Sequence, residues 1–593
     1  MKSIPQRLNG SSASPQPLRF VVERHVPAAM RDGTVLRADV WRPDDGGRRP
    51  VLLQRSPYGK SPGRISIVDA GLDPLRAVEH GYAVMVQDTR GRYASDGTFD
   101  PFRHERADGV DTIAWAAGQP WSDGTVGMYG GSYFGATQLL AATAGPPALR
   151  AITPAVTASE YYEGWTYQGG AFQLGFALFW TLSALAPAEI LRRPPAERPR
   201  FEALLAELLA DPWSTYRRLP LDDLGGLEEL IPYYRDWLDH DTRDGWWCET
   251  APNECYGSVA TAALHLGGWY DIFVSGTIEN FVRLRAEAAT EEARAGQRLF
   301  VGPWSHASYG DVVGDLEFGP AAAWDAFDTT AWHLAWFDER LRGVESGAAP
   351  VRLFLMGANA WFDESDWPPV GVATQDWHLH GVGPANGSGG DGTLSRARPA
   401  DERTDTFTYD PADPVPTHGG ATVIPGFLVG LRTGALDQRR IELRPDVLVY
   451  TSEPLERDLD VIGSVRAVLH VSTSAADTDF TAKLVDVHPD GRAFLVCDGI
   501  RALRHRDALD RATPVAAGET YELLVELGPT ANRFKRGHRL RLEVSSSNFP
   551  RFARNPNNGI APTKAKEADL TPARQTVFHG AARPSRLVLP VRG

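Results

Sequence analysis

A serine enclosed by glycines is the residue with the clearest chemical potential in this sequence. Ser132 lies within Gly127–Gly135 (GMYGGSYFG), between a short apolar run and a helical stretch. This pattern predicts a tight strand-to-helix turn that exposes the serine and aims the backbone N–H of Tyr133 at a developing oxyanion. The usual elbow is G-x-S-x-G, whereas here Phe134 stands at the second position after the serine. Taken alone, the same pattern also fits a serine that caps a helix.

Two further residues supply what a nucleophilic serine needs. A serine hydroxyl requires a general base, and the base requires a third group that fixes its tautomer. Asp271 ends the apolar run AALHLGGWYD, and His306 follows LFVGPWS, which gives the order serine, acid, histidine. Considered alone, Asp271 also fits a helix N-cap, and His306 also fits a core or surface histidine, as most of the 15 histidines must be. Together, at three strand ends, they predict a triad of Ser132 as nucleophile, His306 as base and Asp271 as orienting acid.

A tyrosine at the end of an earlier strand is the candidate for a second oxyanion donor. Tyr58 lies in RSPYG, directly after the apolar run VLLQ. Because a tetrahedral oxyanion normally takes two hydrogen bonds, its phenol would complement the Tyr133 amide. By position alone, Tyr58 also fits a packing aromatic.

The elements that must position these residues form three predicted regions. Short apolar runs alternate with helical stretches over 18–158 and 255–345, which predicts an α/β domain with a buried parallel sheet. The insertion at 159–254 is helical and aromatic, which favours a cap over the active edge of the sheet. In 346–593, alternating strands without helices indicate a β-sandwich or jelly roll.

The cap is rich in aromatic side chains that would suit an apolar acyl or aryl group. We expect most of them to attach the cap to the catalytic domain and one or two to line the substrate pocket. The candidates for the pocket are Tyr161, Trp165, Phe172 and Trp180, beside Tyr162 and Phe176.

Composition excludes several other classes of function. The net charge of -14 argues against nucleic-acid binding, which needs a clustered basic surface. The three cysteines form no C-x-x-C pair, and the proposed chemistry needs no metal or organic cofactor. The sequence shows neither the apolar core of a secretory signal nor a run of about 18 apolar residues. We therefore expect a cytoplasmic protein that does not bind membranes.

The segments RSPYGK, QDTRGRYASDG, GMYGGSYFG, GGWYD and GPWSH, in this order, resemble the CocE/NonD hydrolases, the group of cocaine esterase and the Xaa-Pro dipeptidyl-peptidases (S15). The resemblance covers nearly the whole chain. It implies an α/β-hydrolase domain, a helical cap and a C-terminal jelly roll of the galactose-binding-like type. It also implies that Ser132, Asp271 and His306 are catalytic, and that Tyr58 and the Tyr133 amide form the oxyanion hole. A glycine at the third position after the serine, as in Gly135, is common in this group.

The resemblance leaves the leaving group open. Hydrolysis of a small-molecule carboxylic ester or amide ranks first, ahead of a dipeptidyl-peptidase or a β-lactam side-chain acylase. Gly135 stands where the α-amino acid ester hydrolases carry a carboxylate that helps to bind a free amine, which speaks against that subgroup. The larger Xaa-Pro dipeptidyl-peptidases carry an extra N-terminal helical domain, whereas fewer than about 20 residues precede the first strand here, which speaks against them.

Other classes of function remain as alternatives. These are an acyltransferase or cofactor-free haloperoxidase that uses the same triad, and a carbohydrate-binding module with a vestigial triad. The resemblance also allows a homodimer, which no residue of the sequence demands.

Overall fold

The computed structural model describes residues 19–60, 71–306, 308–423 and 429–593. The first element is an antiparallel hairpin of β1 (Phe20–Ala29) and β2 (Val35–Pro43). Gly33 lies in the turn with φ 85°, a left-handed conformation that glycine adopts without steric cost. In the sequence, the dipeptide Asp32-Gly33 between two alternating segments is a strong signal for such a hairpin turn.

Buried strands then alternate with helices. They are β3 (Arg49–Ser56), α1 (Pro74–Glu79), β4 (Ala83–Asp88), α2 (Glu105–Ala117), β5 (Ser122–Gly131), α3 (Tyr133–Ala142) and β6 (Leu149–Ala155). β3 and β4 are buried along nearly their whole length, because helices cover both faces of the sheet. This is why such strands appear in the sequence as continuous apolar runs.

The cap is mostly helical. It contains the hairpin of β7 (Tyr167–Gln168) and β8 (Ala171–Phe172), followed by α4 (Leu174–Trp180), α5 (Ala186–Arg192), α6 (Arg198–Ala210), α7 (Pro212–Arg217), α8 (Pro232–Asp239) and α9 (Gly245–Cys248). A π-helical turn, Thr181–Leu185, joins α4 and α5 into one continuous helix.

This continuous helix, Leu174–Arg192, is long and apolar enough to cross a membrane, with a mean hydropathy of 1.6. We did not anticipate it from the sequence. Within the protein, 67% of its most apolar stretch is buried, as expected for the core helix of a folded cap. Most of its apolar side chains therefore already have protein partners.

The second part of the catalytic domain completes the sheet. It comprises β9 (Ala262–Tyr270), α10 (Val274–Glu287), α11 (Glu291–Ala295), β10 (Arg298–Ser305), β11 (Val312–Val313), β12 (Leu316–Glu317), α12 (Thr329–Arg342), β13 (Val351–Leu355) and β14 (Ala360–Glu364). The strand order is β1-β2-β4-β3-β5-β6-β9-β10-β13-β14. The seven strands from β4 to β13 are parallel, and the flanking strands are antiparallel.

The predicted α/β-hydrolase fold is confirmed, but the sheet extends further along the chain than the sequence indicated. We placed the end of the catalytic domain at residue 345, whereas β13 pairs with β10 of the catalytic sheet and β14 pairs with β13. β14 is an antiparallel edge strand of the catalytic sheet, so no crossover helix separates it from β13. In the sequence, these two strands therefore look like the strands of the jelly roll.

The C-terminal domain is an antiparallel sandwich of the jelly-roll type. Its strands are β15 (Val372–His380), β16 (Thr393–Ser395), β17 (Arg403–Tyr409), β18 (Leu448–Ser452), β19 (Leu459–Thr473), β20 (Asp479–Val487), β21 (Ala493–Ala502), β22 (Tyr521–Phe534), β23 (Arg539–Ser545), β24 (Ala573–His579) and β25 (Arg586–Arg592). β19 pairs with β22, β24 and β25, and among the described strands of this domain only the short pair β16 and β18 is parallel. The inward-facing side chains form one apolar core.

The jelly roll packs on both other regions. The backbone N–H of Met356 donates to Ala531 O at 2.9 Å, and the Tyr270 hydroxyl donates to Leu495 O at 3.1 Å. Arg551 reaches the cap at Gln168 Oε1, 3.0 Å away. These contacts make the domain an integral part of the structure.

We predict that Asp479→Asn stabilises the protein at pH 8 by a few kcal/mol and much less near pH 4. Burial raises the pKa of Asp479 from 3.8 to about 7, and the neighbouring Asp477 adds to the rise. Between pH 3.8 and about pH 7, Asp479 holds a proton in the folded state that it has lost in the unfolded chain. The free energy of unfolding therefore falls as the pH rises through this range. An asparagine keeps an oxygen for the Asn555 amide, which donates to Asp479 Oδ1 at 2.9 Å.

Thermal unfolding at pH 4.5, 6 and 8, followed by circular dichroism, measures this effect. The exposed Asp401→Asn of the same domain is the control, and its unfolding midpoint should follow that of the unmodified protein. The prediction would be wrong if the unfolding midpoints of Asp479→Asn and of the unmodified protein differed by the same amount at all three pH values.

Candidate active site

Ser132 lies on a strained turn between β5 and α3. Its backbone adopts φ 57° and ψ −124°, a conformation that side-chain-bearing residues rarely occupy. Two backbone bonds hold the turn: Ser132 N donates to Ala155 O at 2.8 Å, and Ala136 N donates to Ser132 O at 3.0 Å. Such strain persists where the surrounding structure enforces it, as in the nucleophile elbow of hydrolases.

The glycines around the serine are required by close packing. Gly130 has φ 122°, and a Cβ atom there would lie 2.6 Å from Phe134 Cβ. A Cβ atom at Gly135 would lie 2.8 Å from Thr157 Cβ. The elbow therefore needs glycine at the third position after the serine, where α3 passes close to the end of β6.

This packing gives Gly135 a structural reason that does not depend on the substrate. A side chain at this position would point into the Thr157 backing of the elbow, where a carboxylate has no room. The choice between esters and peptides must therefore rest on other residues.

Asp271 and His306 meet at the carboxyl ends of β9 and β10. His306 Nδ1 lies 2.7 Å from Asp271 Oδ2. The other carboxylate oxygen, Oδ1, accepts a hydrogen bond from Phe273 N at 2.6 Å. The aspartate is 1% exposed and the histidine 7%, so the pair is shielded from water. A carboxylate that holds Nδ1–H leaves Nε2 as the basic nitrogen.

Phe273 fixes the base from the side, a role that our sequence analysis missed. Its ring meets the His306 imidazole edge-on, with centroids 5.1 Å apart at 81°. It also stacks on Trp165 of the cap at 4.3 Å. The signal in the sequence was its place two residues after Asp271, at the start of α10.

Tyr58, at the end of β3, is held by the cap. Its hydroxyl oxygen accepts a hydrogen bond from Trp180 Nε1 at 3.0 Å, and its ring packs edge-on against Phe134. Burial raises the pKa of Tyr58 well above its ordinary value. The phenol therefore keeps its proton and can donate it in a hydrogen bond.

The Tyr133 side chain anchors the elbow beneath the cap. Its hydroxyl donates to Glu105 Oε1 at 3.1 Å and accepts a hydrogen bond from Phe102 N at 2.9 Å. Glu105 in turn accepts a hydrogen bond from Arg55 Nη1 at 2.6 Å. Burial raises the pKa of Glu105, and the charge of Arg55 opposes this rise. This buried network fixes the residue whose backbone N–H faces the predicted oxyanion.

Charged residues of the run QDTRGR form ion pairs that connect neighbouring parts of the catalytic domain. Lys60 Nζ lies 3.3 Å from Asp88 Oδ2, and Arg90 forms an ion pair with Asp108 at 2.6 Å. Arg92 connects the Tyr58 loop to the cap, as described below.

Three of the four predicted pocket residues lie together, and the fourth does not. Tyr161 stacks on Phe102 at 3.6 Å, Trp165 on Phe273, and Trp180 reaches Tyr58. Phe172 instead packs on Tyr167 and Tyr234 inside the cap. All four side chains are buried, so the cap forms an aromatic layer over this edge of the sheet.

Among the described residues, one group of His and Asp side chains is close enough to share a metal ion. It consists of Asp486, His488 and His538 of the jelly roll. His538 Nδ1 and Asp486 Oδ1 are 2.8 Å apart, a distance typical of a structural hydrogen bond.

Comparison with known proteins shows similarity along nearly the whole chain. Residues 32–308 match the X-Pro dipeptidyl-peptidase (S15) family, and residues 343–588 match the X-Pro dipeptidyl-peptidase C-terminal non-catalytic domain. The cocaine esterase of Rhodococcus sp. (strain MB1 Bresler) is 41% identical over 580 residues, which cover 96% of this chain and 99% of the relative.

Solved structures show the same three-part architecture. A selenomethionine-labelled α-amino acid ester hydrolase superposes with a TM-score of 0.77 at 25% identity, covering 98% of both chains. An aminopeptidase from a marine sediment Thaumarchaeota archaeon shares the fold, with a TM-score of 0.79 at 24% identity over 98% of this chain and 99% of that one. The prediction of a serine hydrolase is thereby confirmed: the chain belongs to the CocE/NonD family, whose members hydrolyse ester or amide bonds.

Proposed function

We propose that this protein hydrolyses carboxylic esters through an acyl-enzyme on Ser132. The observation that carries the proposal is the 2.7 Å contact between His306 Nδ1 and Asp271 Oδ2. It lies at the edge of the parallel sheet where the strained Ser132 elbow also ends a strand. In an α/β fold, the carboxyl ends of the strands form the functional edge.

The proposed reaction has two steps. His306 Nε2 accepts the serine proton as Ser132 Oγ attacks the ester carbonyl carbon, and the same nitrogen then protonates the leaving alcohol. A water molecule, activated by His306, attacks the acyl-enzyme and releases the acid. In both steps the Tyr58 phenol and the Tyr133 amide donate hydrogen bonds to the oxyanion.

The surroundings of the site favour an ester with an aromatic or apolar group. Tyr161, Trp165 and Trp180 belong to the buried aromatic layer over this edge of the sheet, which makes the surroundings of the site apolar. The names of two similar proteins, cocaine esterase and α-amino acid ester hydrolase, both describe ester substrates.

Recognition of a peptide amino terminus would need a carboxylate available for its ammonium group. Two buried carboxylates near the aromatic layer already have basic partners. Glu105 is bound to Arg55, and Glu160 accepts a hydrogen bond from Arg243 at 2.7 Å. These ion pairs leave neither Glu105 nor Glu160 free to bind an ammonium group, which a dipeptidyl-peptidase of the matched S15 type would need.

Steady-state kinetics on p-nitrophenyl benzoate, p-nitrophenyl butyrate and Gly-Pro-p-nitroanilide tests the proposal. We expect rapid release of p-nitrophenol from both esters, with the higher kcat/KM for the benzoate, and negligible release of p-nitroaniline. Dominant cleavage of Gly-Pro-p-nitroanilide would replace the esterase proposal with a dipeptidyl-peptidase.

A further inference from the structure

We propose that Trp180 is a positioning residue for Tyr58, so that the cap helps to build the oxyanion hole. This inference rests on the proposed function, in which the Tyr58 phenol donates to the oxyanion. In the sequence, Trp180 appeared only as a candidate for packing against the substrate. The structure places its indole N–H on the hydroxyl oxygen of Tyr58, 3.0 Å away.

The direction of this hydrogen bond is unambiguous. An indole N–H can only donate, so the Tyr58 oxygen must be the acceptor. The phenol proton cannot occupy the same line and is directed elsewhere. Trp180 therefore leaves Tyr58 one proton to donate and restricts the directions in which the hydroxyl can rotate.

The bond also strengthens Tyr58 as a donor. A hydroxyl that accepts one hydrogen bond is polarised and donates a stronger one, since bonds in a chain reinforce one another. The effect is greatest in a dry, apolar environment, and Trp180 is only 5% exposed. The contribution should increase as negative charge develops on the oxyanion in the transition state.

Trp180 is itself held in place by stacking. Its ring lies parallel to Trp237 of α8, with centroids 5.6 Å apart at 4°, and parallel to Phe176 at 5.8 Å and 7°. The π-helical turn Thr181–Leu185 begins directly after it. Such turns are rare and occur frequently at functional sites.

A buried arginine connects the loop that carries Tyr58 to the helix that carries Trp180. Arg92 Nε donates to Pro57 O at 2.8 Å, one residue before Tyr58. Its Nη2 donates to Ala184 O in the π-helical turn at 3.2 Å, and its Nη1 to Glu189 Oε1 at 3.0 Å. The guanidinium is fully buried, so the Tyr58 loop and the Trp180 helix are fixed to one rigid group.

Kinetics of Trp180→Phe, Tyr58→Phe and the double variant on p-nitrophenyl benzoate test the proposal. Phenylalanine preserves the stacking on Trp237 but removes the N–H. We expect Trp180→Phe to lower kcat by about 2- to 12-fold, the range of one hydrogen bond, with little change in KM. In the Tyr58→Phe background, the same substitution should have no further effect on kcat, because it acts through the lost hydroxyl.

Trp165→Phe is the matched control for this coupling. Trp165 belongs to the same aromatic layer, 5.7 Å from Trp180, but its indole N–H has no hydrogen-bond partner among the described residues. Its effect on kcat should be equal with and without the Tyr58 hydroxyl.

Two outcomes would overturn the inference, and they differ in what else they affect. If Trp180→Phe lowers kcat by the same factor in both backgrounds, or changes only KM, Trp180 merely packs against the substrate and the proposed mechanism survives. If Tyr58→Phe itself leaves kcat unchanged, the role of Tyr58 in the proposed function fails as well.

Discussion

Ser132→Ala is expected to lower kcat on p-nitrophenyl benzoate by roughly 10⁵- to 10⁶-fold, because it removes the atom that attacks the carbonyl. The residual rate would come from the oxyanion donors and from substrate binding. Alanine has the same Cβ atom as serine, so the strain at φ 57° and the contacts of the elbow remain as they are. The thermal unfolding midpoint should therefore change little.

The exposed Ser346→Ala is the control for this substitution, and it should retain full activity. If Ser132→Ala keeps more than a small fraction of the esterase rate in a preparation free of other esterases, Ser132 is not the nucleophile. The reaction would then need another attacking group.

Asp271→Asn should lower kcat by about 10⁴-fold. Phe273 N–H can only donate, so the asparagine must turn its amide oxygen toward it, in the place of Oδ1. The NH₂ group then faces His306 Nδ1. This contact favours the tautomer with its proton on Nε2, which cannot accept a proton from Ser132.

A second His–Asp pair supplies a matched control. His80 Nε2 lies 2.7 Å from Asp338 Oδ2, outside the proposed site. Asp338→Asn makes the same chemical change at the same distance and should leave kcat unaltered. Equal losses for both variants would mean that the Asp271 effect is structural, while full activity of Asp271→Asn would remove the aspartate from the mechanism.

The parts of the site that follow from the order of residues along the chain could be predicted from the sequence. Ser132, Asp271 and His306 each follow a buried apolar run, and parallel strands bring their carboxyl ends to one edge. Their position at one edge of the sheet could therefore be predicted from the sequence. The Asp32-Gly33 hairpin was predictable for a similar local reason, because the φ > 0 conformation of the turn favours glycine.

The contacts between regions could not be predicted in this way. Tyr58 and Trp180 are 122 residues apart, and no periodicity relates a strand end to a position on a cap helix. The reason for Gly135 was equally hidden, because it depends on how closely α3 approaches Thr157. The residue type at Gly135 showed that a carboxylate is absent there, but it did not show this packing reason for the glycine.

The boundary between the catalytic domain and the jelly roll shows a second limit. β13 and β14 are short strands with no helix between them, like the strands that follow them. Only hydrogen bonding decides the sheet to which they belong, and β13 pairs with β10 over Leu299–Val301. Strand type is a local property, whereas sheet membership is not.

Labelling with a fluorophosphonate tests the central claim most directly. This reagent phosphonylates an activated serine and gives an adduct that resembles the tetrahedral intermediate and is not readily hydrolysed. Intact mass and peptide mapping should show one phosphonyl group per chain, on Ser132, with loss of esterase activity in proportion to labelling. Ser132→Ala should remain unlabelled. Full activity after complete labelling, or a phosphonyl group on another residue of an inactivated enzyme, would contradict the account.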